Sequence, residues 1–137
     1  MNSTTSRHKS VSITLRGFDP SADEVATLVG VAASRLGNLG EAVKPGVKAR
    51  LTRSYVIFSL DFLNDHELHK MLPELLAHLG GVSHICKIQN QIQPEFTEIH
   101  FDLPVSIGAD ESQDGYLPSA VISDVFKLKA SLSFGFF

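Results

Sequence analysis

The chain has 137 residues, 43% of them hydrophobic and 20% charged, with a formal net charge of −3 and one cysteine. This composition suits a single globular domain that buries a core without staples, and it excludes a disordered chain. A lone cysteine excludes an internal disulfide, no apolar run approaches the roughly 18 residues of a membrane helix, and the negative charge argues against a nucleic-acid partner.

Residues 1–9, polar and without an apolar leader, are expected to form a tail, leaving 10–137 as one domain. In SVSITLRG, Val11, Ile13 and Leu15 alternate with Ser12, Thr14 and Arg16, which predicts a half-buried strand. A helix follows in DPSADEVATLVG, where Ser21 and Glu24 have the spacing of a capping box and Gly30 follows the last apolar turn. Residues 31–53 lack a period and read as a long connection. SYVIFSL (54–60) is apolar on both sides and predicts a strand inside the sheet.

Leu68, Met71, Leu72, Leu75, Leu76 and Leu79 form one helical stripe. Pro73 lies too deep for the first turn and predicts a kink or a split into two short helices. Gly80-Gly81 ends the element, and VSHICKIQNQI (82–92) predicts a second short helix. FTEIHFDLPV is a strand with Ile99, Phe101, Leu103 and Val105 inward. GADESQDG (108–115) is an acidic loop, LPSAVISDVFKLK a helix with Pro118 at its first position, and SLSFGFF a last alternating strand.

The order is strand–helix–strand, a helical connection, then strand–helix–strand, and both halves enter their helix through Pro-Ser-Ala. This predicts an α+β two-layer sandwich. Its four-stranded mixed sheet is built from two right-handed β-α-β halves, ferredoxin-like, with a helical insertion between them.

Residues 65–86 hold four of the six histidines and the only cysteine. On one helix His66 and His69 would lie about 60° apart and could share a cation, while His78 points away. Neither HExxH nor paired-cysteine spacing is present, so no metal and no cofactor are expected. Cys86 stands two residues after His84, the wrong helical spacing for a nucleophile pair, and reads as a buried, inert thiol. Arg35, Lys44, Lys48, Arg50 and Arg53 against Glu41 read as a solvated basic loop.

The sharper constellation is Glu98, His100 and Asp102, in a row on one face of a strand with neighbours about 7 Å apart. Carboxylates on both sides would favour a charged His100. Thr14, Arg16, Tyr55, Ser131, Ser133 and Gly135 share that face. The candidate ligand- or partner-binding residues are therefore Arg16, Tyr55, Glu98, His100 and Asp102. No residue is assigned a catalytic role.

The stretches VSITLRGFDPSADEVATLVGV, YVIFSL before a Leu-rich helix, and LPSAVISDVFKLKASLSFGF carry a resemblance. Over about residues 10–137 the chain resembles the bacterial family called domain of unknown function 4279. Where that family often has Pro and Trp, this chain has Ala33 and Leu36. The resemblance implies an α+β fold and brings no active site with it. The expected function is a cytoplasmic bacterial binding or interaction module without catalysis, immunity-like or regulatory, whose partner is another protein or a second copy of the chain. The alternative is a small-molecule sensor that uses the open sheet face as its pocket. A hydrolase or isomerase with His100 as base ranks last, since no nucleophile or oxyanion device is visible. Depth decides between the first two: a flat face suits a partner, a hollow suits a ligand.

Overall fold

The computed structural model describes residues 8–105 and 115–137, so residues 1–7 of the expected tail and 108–114 of the acidic loop lie outside the described residues. In chain order the elements are β1 (Lys9–Arg16), α1 (Ala22–Val29), β2 (Arg35–Gly37), β3 (Tyr55–Phe62), α2 (Leu68–His78), α3 (Val82–Ile92), β4 (Phe96–Leu103), α4 (Ser119–Lys127) and β5 (Ser131–Phe136). Among the described residues no helix is long and apolar enough to cross a membrane.

The local signals act as their chemistry requires. Ser21 Oγ accepts the Glu24 amide at 3.1 Å, and Gly30 closes α1 in the left-handed region at φ 96°. Helix α2 runs unbroken through Pro73, so the expected split does not occur there. The break expected at Gly80-Gly81 separates α2 from α3, with φ of 98° and 100°, where a side chain would be strained.

The sheet has five strands in the order β2-β3-β1-β4-β5, one more than expected. Strand β1 pairs antiparallel with both β3 and β4, β2 pairs antiparallel with β3, and β4 pairs parallel with β5. The expected first half, in which residues 54–60 return parallel to β1, is therefore corrected. The strand that runs in the direction of β1 is β2, and β3 lies between them. Strand β2 lies within the expected connection 31–53; it is three residues long and Leu36, its one large apolar side chain, is 37% exposed, so it carries no period. Backbone pairing holds it, and pairing leaves no period in the side chains. The second half, β4-α4-β5, is the expected parallel unit.

Register divides the residues between two faces. Val11, Ile13 and Leu15 of β1, Val56 and Phe58 of β3, and Ile99 and Phe101 of β4 enter one buried cluster with Val25, Met71, Leu72, Leu75, Ile85, Ile88, Val121 and Leu128 of the helical layer. Helix α1 packs on β2 and β3, α2 on β1 and β3, and α3 bridges α1 and α4. Gln89 Nε2 donates to Thr97 Oγ1 at 2.8 Å and to the Leu128 carbonyl at 2.7 Å, tying α3 to β4 and to the end of α4. His84, half buried, caps α1 by donating Nε2–H to the Val29 carbonyl at 3.0 Å.

Leu72 and Leu75 are both fully buried on α2. Replacing either by Ala is expected to cost about 2–5 kcal/mol. His78→Ala, on the exposed side of the same helix, should stay within about 0.5 kcal/mol. Urea denaturation of the three variants measures the contrast.

Candidate functional site

The helical layer covers one side of the sheet. The other side carries the side chains that alternate with the core, and the pairing sets them in transverse rows. Tyr55 stands opposite Gly37 on one side and Arg16 on the other, and Arg16 stands opposite Phe96. Ser12, His100 and Ser133 form a second row, and Ser10, Asp102 and Gly135 a third. All five residues expected to form the site, Arg16, Tyr55, Glu98, His100 and Asp102, lie on this face. They fall into two groups.

The first group surrounds Arg16. Its guanidinium lies over the Tyr55 ring, 5.7 Å from the centroid, and its Nε is 3.6 Å from Glu98 Oε1. That nitrogen is buried and has no hydrogen-bond partner among the described residues. Gly37 is needed beside this stack, because a Cβ there would stand 2.6 Å from the Tyr55 ring and 2.7 Å from Leu51. At the neighbouring edge Arg53 lies over the exposed Phe96 ring at 5.2 Å and pairs with Glu95 at 3.1 Å.

The second group is a chain of hydrogen bonds. The Asp102 carboxylate only accepts, so His100 Nε2–H donates to Asp102 Oδ1 at 2.9 Å. In the neutral imidazole, Nδ1 then accepts from the Ser133 hydroxyl at 2.6 Å. The expectation that Glu98 and Asp102 both flank His100 is thus corrected: Asp102 alone does. Glu98 is drawn to Arg16, its diagonal neighbour across β1, rather than along its own strand. Gly135 makes room for the pair, since a Cβ there would be 2.8 Å from Asp102 Oδ1 and 3.0 Å from His100 Nε2.

Ser133–His100–Asp102 has the order of a nucleophile relay. Two amides near the end of β5 belong to the ladder: Leu103 accepts from the Phe137 amide and Phe137 from the Val105 amide. By parallel alternation, Gly135 and Ser133 turn their amides into β4 as well. Strand β4 lies inside the sheet, with neighbours on both sides. Strand β5 is the sheet edge, so the alternating Leu132, Phe134 and Phe136 amides face away from β4 along the sheet plane, and the arrangement can orient polar groups above the face.

The histidines of 65–86 are spread apart. His66 precedes α2 instead of lying on it, so the 60° argument fails; its ring stacks on Phe62 at 4.5 Å and its Nε2 meets Glu74. His69 stacks on Tyr116 at 4.8 Å. Among the described residues no three His, Cys, Asp or Glu side chains come together as a cation would require. Cys86 is half buried rather than fully buried, with Sγ 3.6 Å from the Lys127 carbonyl.

A cleft of about 730 Å³ opens on the helical side, beneath the start of α2. Its floor is Leu103, Phe134 and Phe136, and its rim includes His66, His69 and Tyr116. Lys9 also lines it. Lys9 continues the row of Val11, Ile13 and Leu15, pairs with Phe62, and is only 8% exposed. Burial pushes its ammonium below the ordinary lysine value, and the Asp65 carboxylate draws it part of the way back. The expected tail of residues 1–9, polar and without an apolar leader, is corrected at its end, since Lys9 opens β1. Its odd-numbered place in that row was the available signal.

No family model matches this chain, and neither a curated protein nor a solved structure matches it.

Two outcomes follow from this geometry. Gly135→Ala should separate His100 from Asp102 while changing stability by no more than about 1 kcal/mol, because side-chain ends can yield. The imidazole Nε2–H signal in ¹⁵N NMR, lost in the variant, would record it. Lys9→Met should melt above wild type at neutral pH. A lysine whose folded pKa is lowered binds its proton less well in the fold, so its cost is full below the folded pKa. That cost fades as pH rises towards the ordinary lysine value of 10.5, and the gap between the two melting curves should narrow across that window.

Proposed function

We infer that this domain is a non-catalytic protein-binding module and that its docking surface is the uncovered sheet face, centred on Arg16, Tyr55 and Phe96. The observation that carries the reading is the Arg16–Tyr55 stack: an arginine whose buried Nε has no hydrogen bond among the described residues, over an aromatic ring, on the side of the sheet away from the helical layer. Arginine and tyrosine dominate the energetic centres of protein interfaces, and an orphaned donor gains a partner on docking. The mixed charge favours a protein over a polyanion, since Glu95 and Glu98 stand among the arginines and would repel a phosphate backbone. Among the described residues the two clefts under α2 and between α1 and α3 lie on the helical side, which favours a partner over a small ligand on this face.

The wider proposal is a cytoplasmic, regulatory or immunity-like partner of another bacterial protein, within the domain of unknown function 4279 family. The strand–helix segments that carry that resemblance support it. The alternately antiparallel run β2-β3-β1-β4 supports a ferredoxin-like core, with β1-α1-β2 split by β3 and α4-β5 added at the edge.

Affinity capture from cells that make the protein, run with wild type and with Arg16→Ala/Tyr55→Ala, tests the reading. A partner bound through this centre should lose about thirtyfold in Kd, as truncation of a hot spot worth about 2 kcal/mol implies. Self-association weakened by the same change would identify the partner as a second copy. Partners that bind both forms equally would move the docking surface elsewhere.

A further inference from the structure

On the opposite side of the sheet we propose that the cleft under α2 is a binding site for a small amphipathic monocarboxylate, whose head is held by Lys9 and whose body lies on Phe134 and Phe136. The site does not depend on the docking face and stands or falls by itself.

Lys9 is the first observation. It is a charged residue in the core-facing row of the central strand, more than nine-tenths buried, and its ammonium has no hydrogen bond or ion pair among the described residues. The Asp65 carboxylate is near enough to attract it but forms no ion pair with it. A largely buried lysine without a protein partner for its charge is costly, which burial records by lowering its pKa. The ammonium is not sealed away, because the side chain lines the cleft.

The walls are the second observation. Phe134 is 42% exposed and Phe136 67% exposed, although both lie on the core side of β5. Phe134 stacks on buried Phe101 with centroids 5.3 Å apart, so the cleft floor continues the hydrophobic core outward. A volume of about 730 Å³ falls within the range of small-molecule sites, about 300–1,000 Å³. A third feature agrees with an anionic head. Helix α2 begins after Glu67 without a side-chain cap, and Glu67, Leu68 and His69 at that end line the same cleft.

The rim determines which anion fits. Glu67 is occupied by Lys70 at 3.1 Å and lies 3.7 Å from His69, and Lys70 holds its carboxyl below the ordinary glutamate value. Glu67 and Asp65 thus set two acidic side chains at the mouth. A phosphate dianion would meet two like charges there, whereas a single carboxylate is balanced by Lys9. The class is a monocarboxylate with an aliphatic or aromatic body.

The test uses octanoate, 1-octanol and octylammonium as probes, followed by NMR titration of the whole protein. Octanoate should bind wild type at least about tenfold more tightly than 1-octanol, as a charge-assisted hydrogen bond implies, and octylammonium should bind most weakly. Shifts should concentrate at Phe134, Phe136 and Tyr116. Lys9→Met, and Lys9→Gln as a polar control, should bring octanoate and 1-octanol to equal affinity while the alcohol still binds. Phe136→Ser should weaken both probes together. Equal affinities in wild type, a preference that survives loss of the Lys9 charge, or shifts confined to the open sheet face would each overturn the proposal.

Discussion

Everything in this domain depends on the register of β1. It is the central strand, antiparallel to β3 on one side and β4 on the other, and both pairings share one alternation. That alternation sends Val11, Ile13 and Leu15 under the helices and Ser10, Ser12, Thr14 and Arg16 to the uncovered face. A slip of one residue would exchange the two sets and bury an arginine in the core. The fully buried apolar side chains of β1 thus hold in place residues they never touch: Tyr55, His100 and Asp102 stand where they do because their strands are keyed to this one.

On the uncovered face the large side chains are placed by small ones. Gly37 lets the Tyr55 ring lie down across the edge strand, and Gly135 lets the His100–Asp102 pair occupy the space above β5. Glycine inside a strand is usually a loss, because it weakens pairing and packs nothing. Here each one sits beside the group whose geometry it permits. Both groups rest on contacts between strands far apart in the chain.

The helical side has a different logic. The helices cover the middle of the sheet and leave its β5 corner, so the apolar floor runs out past them to Phe134 and Phe136. Lys9 lies where that floor begins. The two faces of the sheet are therefore distinct surfaces, one polar and flat, the other apolar and recessed, and both are reached from β1.

Much of this was legible in the residues themselves. Alternation in β1, β4 and β5, the stripe of α2, the Ser21 cap and the Gly80-Gly81 break are local, each carried by side chains within a few positions of one another, and they assigned Arg16, Tyr55, Glu98, His100 and Asp102 to one face. Three things were decided only by the tertiary structure. Strand β2 is held by backbone hydrogen bonds, which leave no mark on side-chain pattern. The choice of Asp102 over Glu98 as neighbour of His100, with Ser133 on its other nitrogen, depended on which strands lie beside β4. Lys9 became a buried cleft residue because α2 and the β5 corner close over a row that the sequence ends with a charge. Periodicity reports which way a side chain points, and only the packing of distant segments determines what it meets there.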